Sequence, residues 1–446
     1  MIKLPKDVEY IINELKRAGY EGFAAGGCVR DSLLGKPPTD WDITTNAAPE
    51  DVMRVFKNRR ILPTGIKHGT VTLFLKNIPY EITAYRLDGM YSDGRRPDNV
   101  TFTNDLTEDL SRRDFTINAM AYGPSRGLVD LFGGREDLKN RIIRCVGSAK
   151  ARFSEDYLRI MRAYRFSATL DFDLDIELKE ASIALRENIT PKISAERIRV
   201  ELDKLLISGR FNRIAAFMED LGSVILPEVT ALRNVPQRNA YHYLDVYGHT
   251  MEALRHAGPE LCLKLCALLH DTGKALAMTV DSGGITHFKG HAAISENIAR
   301  DVLKRLKYDN ETIDTVTTLT REHSFKPGMS RGAAKRLLSR LGINYSRLLL
   351  DFCRADTMAK NSLAQEHRLP AIQADKELLE DILQSGEPYT LKGLSVGGGD
   401  IMAALGVAAG KNVGEALNYL LERVMDDPGL NKRETLLELL RDKVIN

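Results

Sequence analysis

The stretch Gly26-Gly27-Cys28-Val29-Arg30-Asp31, continuing through Leu33-Leu34-Gly35 to Asp40-Trp41-Asp42 and Thr44-Thr45, decides how the chain is read. Phe23 to Ala25 reads as a strand, Arg30 to Leu34 as the start of a helix, and Trp41 to Thr44 as a second strand. Side chains alternate between the faces of a strand, so Asp40 and Asp42 are expected on one side and Trp41 on the other. Paired carboxylates suit magnesium, which takes oxygen ligands and keeps waters and substrate phosphates in its shell. Such an edge could hold a nucleoside triphosphate and activate an attacking hydroxyl. The two glycines let backbone amides approach phosphate closely, and Arg30 could grip it.

Outward from this stretch, residues 7–18 read as an amphipathic helix, and Thr70–Leu75 and Tyr80–Tyr85 as strands joined by a turn at Asn77–Pro79. Glu81 on the second of these strands is either a third carboxylate beside Asp40 and Asp42 or an exposed strand glutamate. The polar, glycine-punctuated segment Arg86–Pro97 has no periodicity and is expected to be a mobile loop. Further on, Glu155 to Phe166 reads as a helix on which Asp156, Arg159, Arg162 and Arg165 recur every third residue. Such a stripe is either a salt-bridged wet face or a recognition surface.

Composition bounds the rest. A chain of 446 residues is long for one core and is expected to divide into two to four domains. With 43% hydrophobic and 28% charged residues it reads as a soluble globular protein, and a net charge of +2 does not by itself announce a nucleic-acid partner. No apolar run approaches the length of a membrane span, and the first residues lack a signal-peptide pattern, so a cytoplasmic location without membrane partners is expected. Five scattered cysteines argue against a disulfide framework, and Cys262 and Cys266, set among leucines, are expected to pack rather than to bind metal. Beyond the first part, which mixes helix and strand, the chain is expected to be helical.

A second constellation occupies the later half, where seven of the nine histidines fall between His242 and His323. His249, the adjacent His270-Asp271, His291, His323 and Asp356 are ligand types for divalent metals, and the His-Asp pair is expected on a helix. Arg331, Lys335, Arg336, Arg340 and Arg347 form a basic helical stretch that could meet RNA phosphates or be ordinary solvated charge. Gly397-Gly398-Gly399-Asp400 looks like a glycine-rich turn opening a helix.

Taken together, Gly26-Gly27, Arg30-Asp31, Asp40-Trp41-Asp42, Arg112-Arg113-Asp114-Phe115-Thr116-Ile117-Asn118 and Glu155-Asp156-x-x-Arg159 closely resemble the signature of the class II tRNA nucleotidyltransferase and bacterial poly(A) polymerase family. The resemblance implies an α+β nucleotidyltransferase head, a small mixed sheet with helices, over 1–140. An all-α remainder would follow: a neck over 141–210, a body over 211–365 and a tail over 366–446. It implies Mg2+ on Asp40 and Asp42, beside which Glu81 stays the candidate third catalytic carboxylate read from its strand. Gly27, Arg30, Arg113, Asp114, Asn118, Arg162 and Arg165 would bind nucleotide, and Asp156 and Arg159 would select the base. C and A both present an amino donor beside a ring-nitrogen acceptor, so an aspartate and an arginine suit both, whereas U and G present the reverse order. The implied partners are tRNA, CTP and ATP. The segment 86–97 looks untruncated, which favours a full CCA-adding or an A-adding enzyme over a CC-adding one. The motif Ile193-Ser194-Ala195-Glu196-Arg197 also resembles a family element, in which Arg197 and Arg199 hold the acceptor end or are surface charge.

The later constellation resembles the HD phosphohydrolase superfamily over about 245–357. It implies a divalent metal (Mg, Mn, Ni or Fe) and a 2′,3′-cyclic phosphodiesterase or phosphatase activity. The competing readings are an A-adding tRNA nucleotidyltransferase, a poly(A) polymerase, and an HD phosphohydrolase whose head only binds RNA.

Overall fold

The computed structural model describes residues 2–89 and 100–445. The chain packs as two compact units, Met1–Pro227 and Glu228–Asn446.

The first unit is built on α1 (Lys6–Arg17), β1 (Gly22–Ala25), α2 (Gly27–Leu33), β2 (Ile43–Thr45), α3 (Pro49–Val55), β3 (Arg60–Gly65), β4 (Thr70–Leu75) and β5 (Ile78–Ala84). β6 (Arg86–Asp88), β7 (Val100–Phe102), α4 (Leu106–Ser111), β8 (Met120–Gly123), β9 (Gly127–Asp130) and α5 (Gly134–Asn140) follow. Seven strands form one sheet in the order β3-β4-β5-β2-β1-β8-β9. Every pairing in it is antiparallel except β2 with β5, which runs parallel and makes the sheet mixed. A parallel pair needs a crossover, and α3 with the β3–β4 segment supplies it. α1 buries Val8, Ile11, Ile12 and Leu15, the i, i+3, i+4, i+7 stripe of an amphipathic helix. Phe23, Tyr85, Leu106, Leu110 and Ala121 form a core cluster that ties α4 to the sheet.

Four local expectations need correction. β2 begins at Ile43, so Asp40-Trp41-Asp42 is extended chain leading into the strand and not part of it. The Ala25 amide still donates to the Asp42 carbonyl at 3.0 Å, which keeps Asp42 in line with β1. The β4–β5 turn is Lys76-Asn77, both at positive φ as a two-residue hairpin turn of the primed type requires, and Ile78 and Pro79 already pair with Leu75 and Phe74. Of the segment expected to be a loop, Arg86–Asp88 is a strand paired with Val100–Phe102, and residues 90–97 lie outside the described residues. The helix expected over 155–166 is two helices, α6 (Ala149–Glu155) and α7 (Leu158–Leu170), with Asp156 extended between them at φ −141°. The Asp156 carboxylate accepts from the Leu158 amide at 3.0 Å, so it satisfies one of the orphan donors that open the new helix. The unit closes with α8 (Ile176–Leu185), α9 (Ala195–Leu206) and α10 (Phe211–Asp220), and α7 packs against α9.

The second unit is helical, apart from a small hairpin. Its main helices are α11 (Val246–His256), α12 (Leu261–Leu269), α13 (His291–Arg305), α14 (Asn310–Glu322), α15 (Arg331–Met358) and α16 (Ser362–Ser385). The chain then adds α17 (Gly398–Leu405), α18 (Lys411–Asp426) and α19 (Arg433–Ile445). The glycine-rich turn does open α17, with Asp400 accepting from the Gly397 amide at 2.9 Å. The basic stretch on α15 is spent internally: Arg331 pairs with Asp381 and Glu387, Lys335 with Glu387, Arg336 with Glu422 and Asp426, Arg340 with Glu322, and Arg347 with Glu380. Lys335 is wholly buried, so its ammonium ties helices together rather than facing solvent.

Candidate functional site

One cavity of about 840 Å³ in the first unit is lined by Asp40, Asp42 and Glu81 together with Gly27, Arg30, Arg113, Asp114, Asn118, Asp156, Arg159, Arg162 and Arg165. Every candidate for nucleotide chemistry therefore reaches the same space. The parallel register pairs Ile43 with Ile82, so the residues one step earlier, Asp42 and Glu81, come side by side where two neighbouring interior strands run. Burial of its carboxyl against the cavity wall, then the charges of Asp40 and Glu81, push Asp42 up to about 6, although the residue as a whole stands open to the cavity. Mutual repulsion of this kind fits residues that share a hard cation.

Opposite the carboxylates stands a cationic wall. Arg30 reaches Asn118 Oδ1 at 2.6 Å, and Arg30, Arg162 and Arg165 lie 5.0, 5.4 and 3.6 Å from the centroid of the Phe166 ring. An aromatic face thus holds three like charges close together. Arg113 lies close to Gly26, which sits at φ +81° and whose Cβ, if present, would stand 2.7 Å from Arg113 Nη1. Arg162 donates from Nε and Nη2 to Asp114 Oδ2 at 2.9 and 2.6 Å. Burial would raise the Asp114 carboxyl, but Arg162 and a hydrogen bond from Asn118 outweigh it and hold it at about 2.

Asp156 and Arg159, the candidates for base selection, are supported from both sides. Asp156 Oδ2 accepts from Arg197 at 2.9 Å, and Arg159, only 8% exposed, donates to Glu155 at 2.6 Å and to the Arg112 carbonyl at 3.2 Å. Arg197 therefore braces Asp156 instead of standing as free surface charge. Sequence spacing alone did not reveal Thr44, Asp109 or Arg112, whose partners are far apart in the chain or carry no pattern of their own.

The family described as the poly A polymerase head domain matches residues 22–144, a probable RNA- and SrmB-binding site of polymerase A matches 171–232, and tRNA nucleotidyltransferase domain 2 matches 281–440. A CCA-adding enzyme of Enterococcus faecalis is 34% identical over 98% of this chain and 95% of its own length. The chain belongs to the class II CCA-adding enzymes. Another CCA-adding enzyme, from Lactiplantibacillus plantarum, is 32% identical over 97% of this chain and 94% of its own. The crystal structure of the Bacillus stearothermophilus CCA-adding enzyme in complex with CTP superposes over the full length of both chains, at 28% identity and a TM-score of 0.69. The mixed-sheet head and helical remainder expected from the sequence are thus the family's fold, and the chain is a nucleotidyltransferase. No helix among the described residues is long and apolar enough to cross a membrane.

This CCA-adding enzyme carries a second cluster, wholly in its helical unit. His270-Asp271 follows the end of α12 rather than lying within it. Gly273 allows α13 to come close, because a Cβ there would meet the His291 carbonyl at 2.5 Å. His249 Nε2 lies 3.0 Å from Asp356 Oδ1, and His270 Nε2 lies 3.1 Å from Asp271 Oδ2. His291 and His323 approach Asp271 Oδ1 at 3.4 and 3.6 Å. All six expected ligands therefore meet. The Nδ1 atoms of His270, His291 and His323 face carbonyls of Ala267, Phe288 and Thr320 at 3.0, 2.7 and 2.6 Å. Each ring is thereby assigned as the Nδ1–H tautomer, with the Nε2 lone pair turned inward.

Two sets, His249-His270-Asp271 and Asp271-His291-His323, bring their ligand atoms within 4.8 Å, and His270 Nε2 and Asp271 Oδ1 are buried without a hydrogen-bond partner among the described residues. Burial pushes His249 and His323 down and so keeps them neutral, as metal ligation requires. The sequence did not single out Lys274, which bridges Asp271 and Gln237 at 2.7 Å each, or His242, whose ring packs edge-on against His249 at 4.9 Å. His287, by contrast, pairs with Asp281 on the exposed hairpin.

Proposed function

We propose that this enzyme adds C, C and A to the 3′ end of tRNA from CTP and ATP without a nucleic-acid template. The observation that carries this reading is the convergence of Asp40, Asp42 and Glu81, the arginine wall, and the Asp156–Arg159 pair on one cavity. The tRNA 3′ hydroxyl oxygen attacks the α-phosphorus in line, the bond from that phosphorus to the oxygen bridging to the β-phosphate breaks, and pyrophosphate leaves. Asp40, Asp42 and Glu81 would hold Mg2+, and one of these carboxylates accepts the single hydroxyl proton. When bound, Mg2+ supplies positive charge that lowers the pKa of the hydroxyl and neutralises the triphosphate. Gly27, Arg30 and Arg113 face the triphosphate, Asp114 and Asn118 the sugar, and Arg162 and Arg165 the phosphates or the base-selecting pair. Asp156 accepts from the base amino group while Arg159 donates to the ring nitrogen.

The test is tRNA ending at the discriminator base, offered one nucleotide at a time. CTP alone should add two residues and ATP should then add one. Addition of A only, or to any RNA, would point to the A-adding or poly(A) reading instead. Activity at the RNA end that survives replacement of Asp40 and Asp42 by Ala would indicate a head that only binds RNA. We take the finer division into head, neck, body and tail, and a cytoplasmic site of action, as part of the same proposal.

The second cluster supports a further proposed activity, hydrolysis of phosphate esters such as a 2′,3′-cyclic phosphate. His291 and His323 place Nε2 atoms 3.0 Å apart, and two inward lone pairs at that distance are tolerable when a cation lies against both. His249, His270, Asp271 and Asp356 would hold one divalent ion (Mg, Mn, Ni or Fe), and Asp271, His291 and His323 a neighbouring one. Bound metal supplies a more acidic water.

A further inference from the structure

We propose that Asp109 is the positioning residue that frees Arg113 for the triphosphate by holding Arg112 in its place, a role that rests on the nucleotide-addition reading above. Asp109 lies on α4, its side chain wholly buried, and it does not line the cavity itself. Its two oxygens divide the work. Oδ1 accepts from Arg112 Nε and Nη2 at 3.0 and 2.7 Å, a fork that fixes the Arg112 guanidinium completely in direction. Oδ2 accepts from the Thr44 hydroxyl at 3.1 Å and meets Arg113 Nη2 only at 3.4 Å. Arg113 is thus held at arm's length. Its other contact, Nη1 to the Asn118 carbonyl, is 3.5 Å, and its Nε is buried with no partner among the described residues.

A guanidinium that lines a cavity and is held only by two long contacts is suited to bind an anion. Arg112 does a different task, since its carbonyl accepts from Arg159 Nη2 at 3.2 Å. Thr44 follows Asp42 by two residues, so one buried carboxylate joins the strand leading from the catalytic aspartates, the triphosphate arginine and the support of the base-selecting arginine.

Removing the negative charge would by itself draw phosphates more strongly. The opposite result is expected here, because Arg112 and Arg113 lose the group that sets their directions. The experiment compares equilibrium binding of CTP and CMP to the full-length enzyme carrying Asp109→Asn or Thr44→Val, alongside catalytically silenced Asp40→Ala and Asp42→Ala. The Asn variant should bind CTP about tenfold more weakly, a change of about 1.4 kcal/mol, with CMP affinity changed less than about twofold. Thr44→Val, which keeps the charge and loses only the brace, should give a smaller loss of the same kind and decides the matter if the Asn variant does not fold. Equal weakening of CTP and CMP, no change, or tighter CTP would overturn the role of Asp109. Failure of the wild-type enzyme to prefer CTP over CMP would instead overturn the assignment of the cavity to nucleoside triphosphates.

Discussion

Arg162 on α7 grips Asp114 with two donors on one oxygen, at 2.9 and 2.6 Å, across 48 residues of chain. The pair fastens α7 to the segment that follows the Arg112-Arg113 run, and both residues line the cavity. Its worth depends on pH in a defined direction. The folded carboxyl is held at about 2 against an ordinary 3.8, so the stabilisation is fully present above pH 4 and is lost as pH falls toward 2. Asp114→Asn should lower stability at pH 7 by about 2 kcal/mol, with the difference from wild type shrinking below pH 4. Urea unfolding across that range checks it. A difference that stays constant with pH would assign the loss to packing.

Asp42 carries the opposite sign. Its carboxyl is raised to about 6, so the folded protein takes up a proton that the unfolded chain does not hold between roughly pH 4 and 6, and stability falls as pH rises through that window. With chelator present, Asp42→Asn should be more stable than wild type at pH 7.5, by no more than about 1 kcal/mol because the residue is open to solvent. The gain should vanish below pH 4. Nucleotide addition should be lost in the same variant, and added Mg2+ should raise the melting temperature of the wild type alone.

The proposed base choice requires Asp156 to act as an acceptor only. Asp156→Asn offers a donor as well, which suits the carbonyl of U or G. Primer extension on tRNA should show UMP incorporation relative to CMP rising by roughly 10- to 100-fold, the equivalent of about 1–3 kcal/mol of lost discrimination. An unchanged ratio with slower addition of every nucleotide would mean that Asp156 serves only as the cap of α7 and the partner of Arg197.

The histidine cluster makes a separable prediction. Titration with Mn2+ or Ni2+ should raise the melting temperature of the wild type and release hydrolysis of 2′,3′-cyclic AMP, both suppressed by chelator. Asp271→Asn removes a ligand shared by both metal sets and should abolish both effects while leaving CMP and AMP addition in place. Metal stabilisation that persists in this variant would place the ion elsewhere.

Much of this site could be read directly along the chain. The sheet-forming alternation of Thr70 to Leu75, the stripe of Val8, Ile11, Ile12 and Leu15, and the run from Gly26 to Asp42 are local patterns, and local patterns survive in a linear string. The ligand-type residues His249, His270, Asp271, His291, His323 and Asp356 were likewise recognisable by kind and order. Less legible were features set by competition between neighbours: a helix that stops at Asp156 because a carboxylate satisfies a new helix end, or a turn at Lys76-Asn77 one step ahead of the obvious proline.

Tertiary structure alone decided which charges are used up and which are left over. Nothing in the spacing of Arg331, Lys335 and Arg336 distinguishes them from Arg113, yet the former are matched with carboxylates from distant helices and the latter keeps a buried Nε without a hydrogen-bond partner among the described residues. Likewise, only folding brings His291 to 3.0 Å from His323 and Thr44 to 3.1 Å from Asp109. The order of residues sets which chemical groups are present and which local elements they favour. Whether a group is paired, desolvated or aimed at a ligand depends on residues tens of positions away, because electrostatic and hydrogen-bonding partners are chosen by distance in space.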